Sequence, residues 1–230
     1  MIKKKRYKGL LLDIDDTLYC YKNSHSIAYQ NVVNFFIKNF KIRRSIIKKA
    51  YEESRSKVHL DLGETASSHN RLIYFQNMCQ FLKVNPLKYG LQIYNIYWDS
   101  YLRNIKIFEG VYDLFKEYKN KICLVTDLTA HIQYRKINRL KIHKYCNSIV
   151  TSEEAGKDKP NAIIFKLALQ KLNLGIKEVC MIGDNFNKDI IGANSLGIDA
   201  IWFNHRKIKR NFKNSSIKEV VKFKEILSHI

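Results

Sequence analysis

Leu10-Leu11-Leu12 runs directly into Asp13-Ile14-Asp15-Asp16-Thr17. Three carboxylates packed so closely repel one another, and only a bound cation, a shared proton or a strong hydrogen-bond network offsets that repulsion. A hard divalent metal with oxygen ligands is the simplest remedy. An apolar run ending in acids also reads as a buried strand with chemistry at its carboxyl end, where ligands of open α/β sheets bind. The competing reading of the cluster is a helix N-cap, for which Asp16 and Thr17 are suitable types.

Two later apolar runs end in the same manner. Ile122-Cys123-Leu124-Val125 stops at Thr126-Asp127, and Val179-Cys180-Met181-Ile182 stops at Gly183-Asp184, with Asp189 following at the entrance of a helix. Between them, Gly156-Lys157-Asp158-Lys159-Pro160 is a loop that places cations just before a helix. A hydroxyl and backbone amides bind phosphate oxygens, a lysine neutralises their charge, and carboxylates hold Mg2+.

The elements that must position these groups fall into two blocks. From about Ser24 to Arg103 the pattern is helical: Ile27, Val32, Val33, Phe36 and Phe40 approximate one helical stripe, and Leu72, Phe75, Gln76, Cys79, Phe81 and Leu82 another. Asp61-Leu62-Gly63-Glu64 and Asn85-Pro86 are the loop points. From Phe108 onward helices and strands alternate. Helices are expected over 112–118, 132–140, 162–172 and 190–196, and strands over 122–125, 148–150, 179–182 and 200–203, the last of these closing the series. Strand 9–14 joins them. Such alternation predicts an α/β fold, a doubly wound, Rossmann-like parallel sheet with right-handed crossovers. The expected catalytic core is residues 1–20 and 105–230, with residues 21–104 inserted as a helical cap.

Inside that insertion, His69, Asn70, Arg71, Tyr74 and Phe75 form a polar and aromatic group that helical spacing partly aligns. Arg71 has two readings: a clamp on a substrate carboxylate or second phosphate, or cap packing. His69 and Arg71 are the specificity candidates. Tyr74 and Phe75 are expected in the cap core, Tyr94, Tyr97, Trp98 and Tyr101 on one core or interface face, and His25 and His59 on the surface without partners.

Composition bounds the rest. A chain of 230 residues, 46% hydrophobic and 27% charged, suits one or two folded domains. No apolar stretch approaches the roughly 18 residues of a membrane span. The basic flank Met1–Arg6 precedes an apolar run too short for a signal peptide, so a cytoplasmic location is expected. The five cysteines show no C-x-x-C spacing, and neither disulfides nor zinc are expected. Net charge of +20 raises nucleic-acid binding, but the lysines are spread without a long basic tract, and no specific nucleic-acid partner is expected. The field would attract small phosphorylated molecules.

With its four motifs in order, Asp13-Ile14-Asp15-Asp16-Thr17, Val125-Thr126-Asp127, Lys159-Pro160 and Gly183-Asp184-Asn185-Phe186-Asn187-Lys188-Asp189, the chain resembles the haloacid dehalogenase (HAD) superfamily of phosphatases with a type-1 helical cap. Val125-Thr126-Asp127-Leu128 and Thr151-Ser152-Glu153-Glu154-Ala155-Gly156 further resemble the subgroup of nucleotidases and sialic-acid-phosphate phosphatases. The resemblance implies that Asp13 attacks phosphorus and that Asp15 serves as general acid and base. It implies Mg2+ held by Asp13, the Asp15 carbonyl and Asp184, with Asp189 as a further ligand or orienting a metal-bound water, and phosphate binding by Thr126, Asp127 and Lys159. Lys157 is the alternative to Lys159. Asp127 stands where the family often has asparagine, and its backbone is expected to matter more than its carboxylate. Asp16 reads as a cap or loop residue, and Asp189 alternatively as an acid at a helix N-terminus. The expected activity is Mg2+-dependent hydrolysis of a small phosphorylated metabolite, a sugar phosphate, nucleoside monophosphate or amino-alcohol phosphate, by a monomer or homodimer. The alternatives are a phosphomutase or dehalogenase of the same superfamily, or a non-catalytic nucleic-acid-binding protein.

Overall fold

A computed structural model describes residues 7–230; Met1–Arg6, on which the reading against a signal peptide rests, lie outside the described residues. In chain order, strand β1 (Gly9–Leu12) is followed by helices α1 (Tyr21–Phe40), α2 (Arg44–Leu62), α3 (Arg71–Phe81), α4 (Pro86–Arg103) and α5 (Val111–Glu117). Then come β2 (Ile122–Thr126), α6 (Ala130–Leu140), β3 (Ser148–Thr151), the single turn α7 (Ser152–Ala155), α8 (Ala162–Leu172), β4 (Val179–Gly183), a π-helical turn Phe186–Ile191 leading into the short helix α9 (Gly192–Asn194), β5 (Asp199–Phe203) and β6 (Ile217–Val220). The chain divides into two compact units, the first formed by the residues up to Cys20 together with Lys106–Ile230 and the second by Tyr21–Ile105. No helix among the described residues is long and apolar enough to cross a membrane.

In the first unit the six strands form one parallel sheet in the order β3-β2-β1-β4-β5-β6. Leu10, Leu11 and Leu12 are fully buried, as a strand covered on both faces requires. Leu11 packs in a cluster with Val125, Phe165, Met181 and Trp202, so Leu11→Ala would cost about 2–5 kcal/mol. Cys123 and Cys180 fill small core positions in β2 and β4. The chain reverses between β1 and β4, the switch point at which strand ends splay and leave a crevice.

Two core expectations need correction. The expected helix over 190–196 is instead the π-helical turn followed by α9. An extra residue per turn there brings Asp189 back toward the end of β4, which a regular helical repeat does not anticipate. Strand β6 was not expected at all. Its sequence Ile-Lys-Glu-Val buries only its two ends, the charged middle of an edge strand, and carries no apolar run.

The second unit is helical. Asn70 caps α3 by accepting from the Leu72 amide, and Asn85 caps α4 by accepting from Leu87 and Lys88, with Pro86 following where no amide is needed. The α1 stripe that packs inward is Ala28, Val32, Val33 and Phe36, while Ile27 faces outward. In α3, Arg71, Tyr74, Phe75, Met78 and Cys79 turn inward and Leu72 and Phe81 are exposed, so the expected stripe is shifted and includes a charge.

Candidate active site

The chemistry-bearing residues of the first unit sit at the carboxyl ends of β1, β2, β4 and β5. The Asp13 amide bonds the Ile182 carbonyl at 3.0 Å, extending the β1–β4 pairing one step and delivering a buried carboxylate at the sheet's edge. Thr17 is not a helix cap. Its fully buried hydroxyl donates to Asp13 Oδ2 at 2.7 Å and accepts from the Asp184 amide at 3.0 Å, tying two strand ends together. Asp16 occupies the turn between them with φ of 66° and pairs with Arg206 at 3.1 Å.

Lys159 is buried at the centre. Its Nζ lies 2.6 Å from Asp13 Oδ1, 2.7 Å from Asp189 Oδ1 and 2.9 Å from the Val125 carbonyl. Lys157 is exposed, so of the two lysines it is Lys159 that reaches the acids. Asp127 anchors the loop, accepting from the Lys159 amide at 2.9 Å and pairing with Lys188 at 2.7 Å. Its carboxylate therefore has structural work beyond that expected of its backbone. Asp184 pairs with Arg206, and the Trp202 indole donates to the Asp184 carbonyl at 2.8 Å. Asp189 is almost completely buried and accepts from the Asn185 amide at 2.9 Å. A side chain at Gly183 would collide with the Asp189 carboxylate, so this position requires glycine.

Asp15 is held separately. The Lys136 ammonium contacts both its oxygens, at 2.6 and 2.7 Å; Gln133 donates to it at 2.9 Å, and the Tyr19 hydroxyl donates to it as well. The same Gln133 amide reaches Thr126 Oγ1 at 2.7 Å and the Asp127 carbonyl at 2.8 Å. Gln133, Lys136 and Arg206 were missed in the sequence. The first two occupy inward positions of α6 between Ile132, Ile137 and Leu140, and a polar pair on an otherwise apolar stripe was the available signal. Arg206 follows the end of β5 and carried no comparable mark.

The electrostatics divide the acids. Burial pushes Asp13 up to about 7, with Asp189 adding to the rise and Lys159 opposing it. Burial followed by repulsion from Asp13, Asp189 and Asp16 pushes Asp184 up to about 8 despite Arg206. Desolvation alone would raise Asp15 too, but the Lys136 ammonium and the hydrogen bonds around it hold it below the ordinary carboxylate range. Asp13, Asp184 and Asp189 each offer a carboxylate oxygen, all within 4.8 Å of one another. Three buried carboxylates, two of them held above the ordinary range by burial and mutual repulsion, are the donor set of a hard divalent cation, so these residues fit Mg2+.

In the second unit His69 and Arg71 lie together, Arg71 Nη1 donating to the His69 carbonyl at 3.2 Å. Tyr74 and Phe75 are core residues, as are Tyr97, Trp98 and Tyr101. The expectation for the two histidines was wrong. His25 Nδ1 is 2.9 Å from the Tyr97 hydroxyl, and His59 Nε2 is 2.9 Å from that of Tyr74. Helix packing supplies these partners from α3 and α4, far away in sequence.

A family model for haloacid dehalogenase-like hydrolases matches residues 7–197. The chain is 29% identical over 203 residues to the ribulose-1,5-bisphosphate 5-phosphatase of Halopiger xanaduensis, covering 85% of this chain and 84% of that one. It is 27% identical over 200 residues to the glyceraldehyde 3-phosphate phosphatase of Methanothermobacter thermautotrophicus, covering 86% and 85%. Its fold matches the HAD-hydrolase YfnB of Bacillus subtilis, solved bound to magnesium, with a TM-score of 0.72 at 20% identity over 97% of this chain and 98% of that one.

Proposed function

The chain belongs to the haloacid dehalogenase-like hydrolases and is a phosphatase, and we propose that it hydrolyses a small phosphorylated metabolite through a phosphoryl-enzyme on Asp13, with Mg2+. The observation that carries the reading is the convergence of Asp13, Asp184 and Asp189 on one point beside Lys159, with Asp15 in a differently charged setting.

In the first step an Asp13 carboxylate oxygen forms a bond to phosphorus while the ester P–O bond breaks, and Asp15 gives its proton to the departing oxygen. In the second, a water oxygen attacks phosphorus, Asp15 takes the water's proton, and inorganic phosphate leaves Asp13. Lys159 neutralises phosphoryl oxygens, and the Thr126 hydroxyl, oriented by Gln133, contacts one of them. Asp13, Asp184 and Asp189 would hold Mg2+, which when bound keeps these carboxylates ionised and offsets charge on the transferring group. The grip of Lys136 favours the base form of Asp15, the form that the second half-reaction requires. A dehalogenase has no use for an acid two residues beyond its nucleophile, and the three groups spent on holding Asp15 favour phosphoryl transfer over that alternative.

The two relatives are named for phosphorylated sugars, and a compound of that size is the substrate class proposed here. The test is rapid acid quench during turnover of a phosphate-ester panel with Mg2+, followed by mass spectrometry. A hydroxylamine-labile phosphoryl group on the Asp13 peptide is expected. Turnover with no label there, or equal label in Asp13→Asn, would refute the intermediate.

A further inference from the structure

The second unit contains a charge that nothing in the acidic site accounts for. Arg71 is only 7% exposed. Its Nη2 donates to the Tyr21 hydroxyl at 2.7 Å, and its guanidinium lies 4.7 Å from the Tyr74 ring centre and 5.7 Å from that of Tyr97. Its Nε is buried without an acceptor, and among the described residues no carboxylate pairs with it. Aromatic faces recover part of the desolvation cost of a buried cation, but opposite charge recovers far more. A buried donor left open in an otherwise well-packed helical unit calls for a partner.

A cavity of about 300 Å³ adjoins this cluster, lined by His25 and Tyr29 of α1 and by Lys48, Tyr51, Glu52 and Arg55 of α2. It connects to Arg71 through His25, which stacks on Tyr21 with ring centres 5.3 Å apart and bonds the Tyr97 hydroxyl. The volume is that of a small-molecule site. Two of its walls carry open donors: the hydroxyls of Tyr29 and Tyr51 are buried with no hydrogen-bond partner, and Tyr51 is only 6% exposed. Glu52 is engaged by Lys48 at 3.8 Å, whereas Arg55 has no ion pair among the described residues. Arg55 in the lining and Arg71 behind His25 place positive charge at the cavity wall, and both act after desolvation, the larger cause, in pushing His25 down to about 4. Burial pushes both phenols up to about 12, so they remain protonated donors.

We propose that this cavity is an anion-binding site of the cap, in which Tyr29 and Tyr51 donate to a carboxylate or phosphate group, Arg55 meets it from the open side and Arg71 supplies buried positive charge behind it. The chemistry has two sources, a second anionic group on the substrate or a separate small anion. The first rests on the phosphatase reading and narrows the substrate to phosphomonoesters bearing a second acidic group.

The experiment is calorimetric titration of the full chain, with Asp13→Asn present to block turnover, using phosphoglycerate, fructose bisphosphate, glycerol phosphate and the phosphate-free dicarboxylate malonate. A substrate group predicts at least tenfold tighter binding of the two doubly acidic esters than of glycerol phosphate, a preference lost in Arg71→Met and reduced severalfold in Tyr51→Phe and Arg55→Ala. A separate anion predicts malonate binding that the same substitutions weaken, with no preference among the esters. Equal binding of all three esters, with malonate binding absent or unaffected by Tyr51→Phe and Arg55→Ala, overturns the site. Arg71→Met should also leave the unfolding temperature unchanged or raised. A lowered temperature with unchanged ester preference would make Arg71 a packing residue and overturn its part. Hydrolysis of an aryl phosphate by the wild type, followed in parallel, reports phosphoryl transfer alone; its absence would speak against the enzyme mechanism and leave the cap site standing.

Discussion

The two units concentrate opposite charges. At the strand ends, carboxylates crowd around Lys159 until burial and mutual repulsion lift Asp13 to about 7 and Asp184 to about 8. In the helical unit, phenols and imidazoles surround Arg71, the unpaired charge has the other sign, and burial followed by Arg71 and Arg55 depresses His25 to about 4. Each cluster is costly for an isolated fold, since a buried charge is stable only when paired and hydrogen-bonded. The strand-end cluster thus lacks a cation, which Mg2+ would supply, and the helical unit lacks an anion, which the proposed cavity ligand would supply.

The largest effect is expected from Asp13→Asn, which removes one of the crowded charges together with the nucleophile. Phosphate release should fall by a factor of roughly 10⁴ or more, while relief of repulsion keeps the unfolding temperature at or above the wild-type value. Near-normal release from a verified preparation would break the core half of the comparison.

Removing the cation should cost almost as much. Activity is expected to vanish on chelation and return with Mg2+ but not with Ca2+, whose larger, looser shell misplaces the attacking oxygen. Because Mg2+ binds only the folded state, it should also raise the unfolding temperature of the wild type but not of Asp184→Asn. Full turnover in demetallated enzyme would contradict the account.

A smaller effect is expected at Asp15. Lys136→Met removes the buried ammonium that keeps Asp15 ionised, so release of phosphate from the phosphoryl-enzyme, which needs Asp15 as base, should slow and kcat toward aryl phosphates should drop by about 10–100-fold. Alkyl phosphates should suffer less, because the more readily protonated Asp15 assists departure of an alkoxide, a proton that phenolate does not need. Equal losses on both ester classes would assign Lys136 to packing alone.

The same contrast between the units explains what the sequence disclosed. Asp13, Thr126 and Asp184 stand at the ends of apolar runs, and a parallel sheet brings such ends to one edge whatever the loops between them, so the strands and the acidic cluster were readable from local pattern. Lys136 and Gln133 act across the sheet from a helix face, and nothing local states what they meet. The cap was harder still. Its polar cluster draws on α1, α2, α3 and α4, and only their packing brings His25 to Tyr97 or Arg71 to Tyr21. Periodicity marks which face of a helix is apolar, but Arg71 lies on a buried face that hydropathy assigns to nonpolar residues. The edge strand β6 and the π-helical turn escaped for a related reason, since the first lacks an apolar run and the second breaks the period.

The finest test of the contrast is in pH. His25 titrates near 6.5 unfolded and near 4 folded, so between those values the unfolded chain binds more protons. Its contribution to stability is therefore complete above about pH 6.5 and is lost as the pH falls toward 4. With a partly exposed ring, the loss at pH 5 should be about 1–2 kcal/mol. Asp13 and Asp184 act in the opposite direction. Their folded values exceed the ordinary carboxylate range, so the native metal-free protein binds the extra protons, and their contribution is full only below about pH 4 and is lost progressively until the pH passes 7 to 8. Denaturant unfolding of metal-free protein from pH 5 to 9 should show stability falling as the pH rises to about 8, because the two carboxyls outweigh His25 between pH 5 and 6.5. His25→Gln should steepen the fall between pH 5 and 6.5 alone, and Asp184→Asn should make the fall up to pH 8 shallower. If His25→Gln left the slope between pH 5 and 6.5 unchanged, the imidazole would not be held neutral in the folded protein, and neither its burial nor the positive charge of Arg71 and Arg55 would act on it as described.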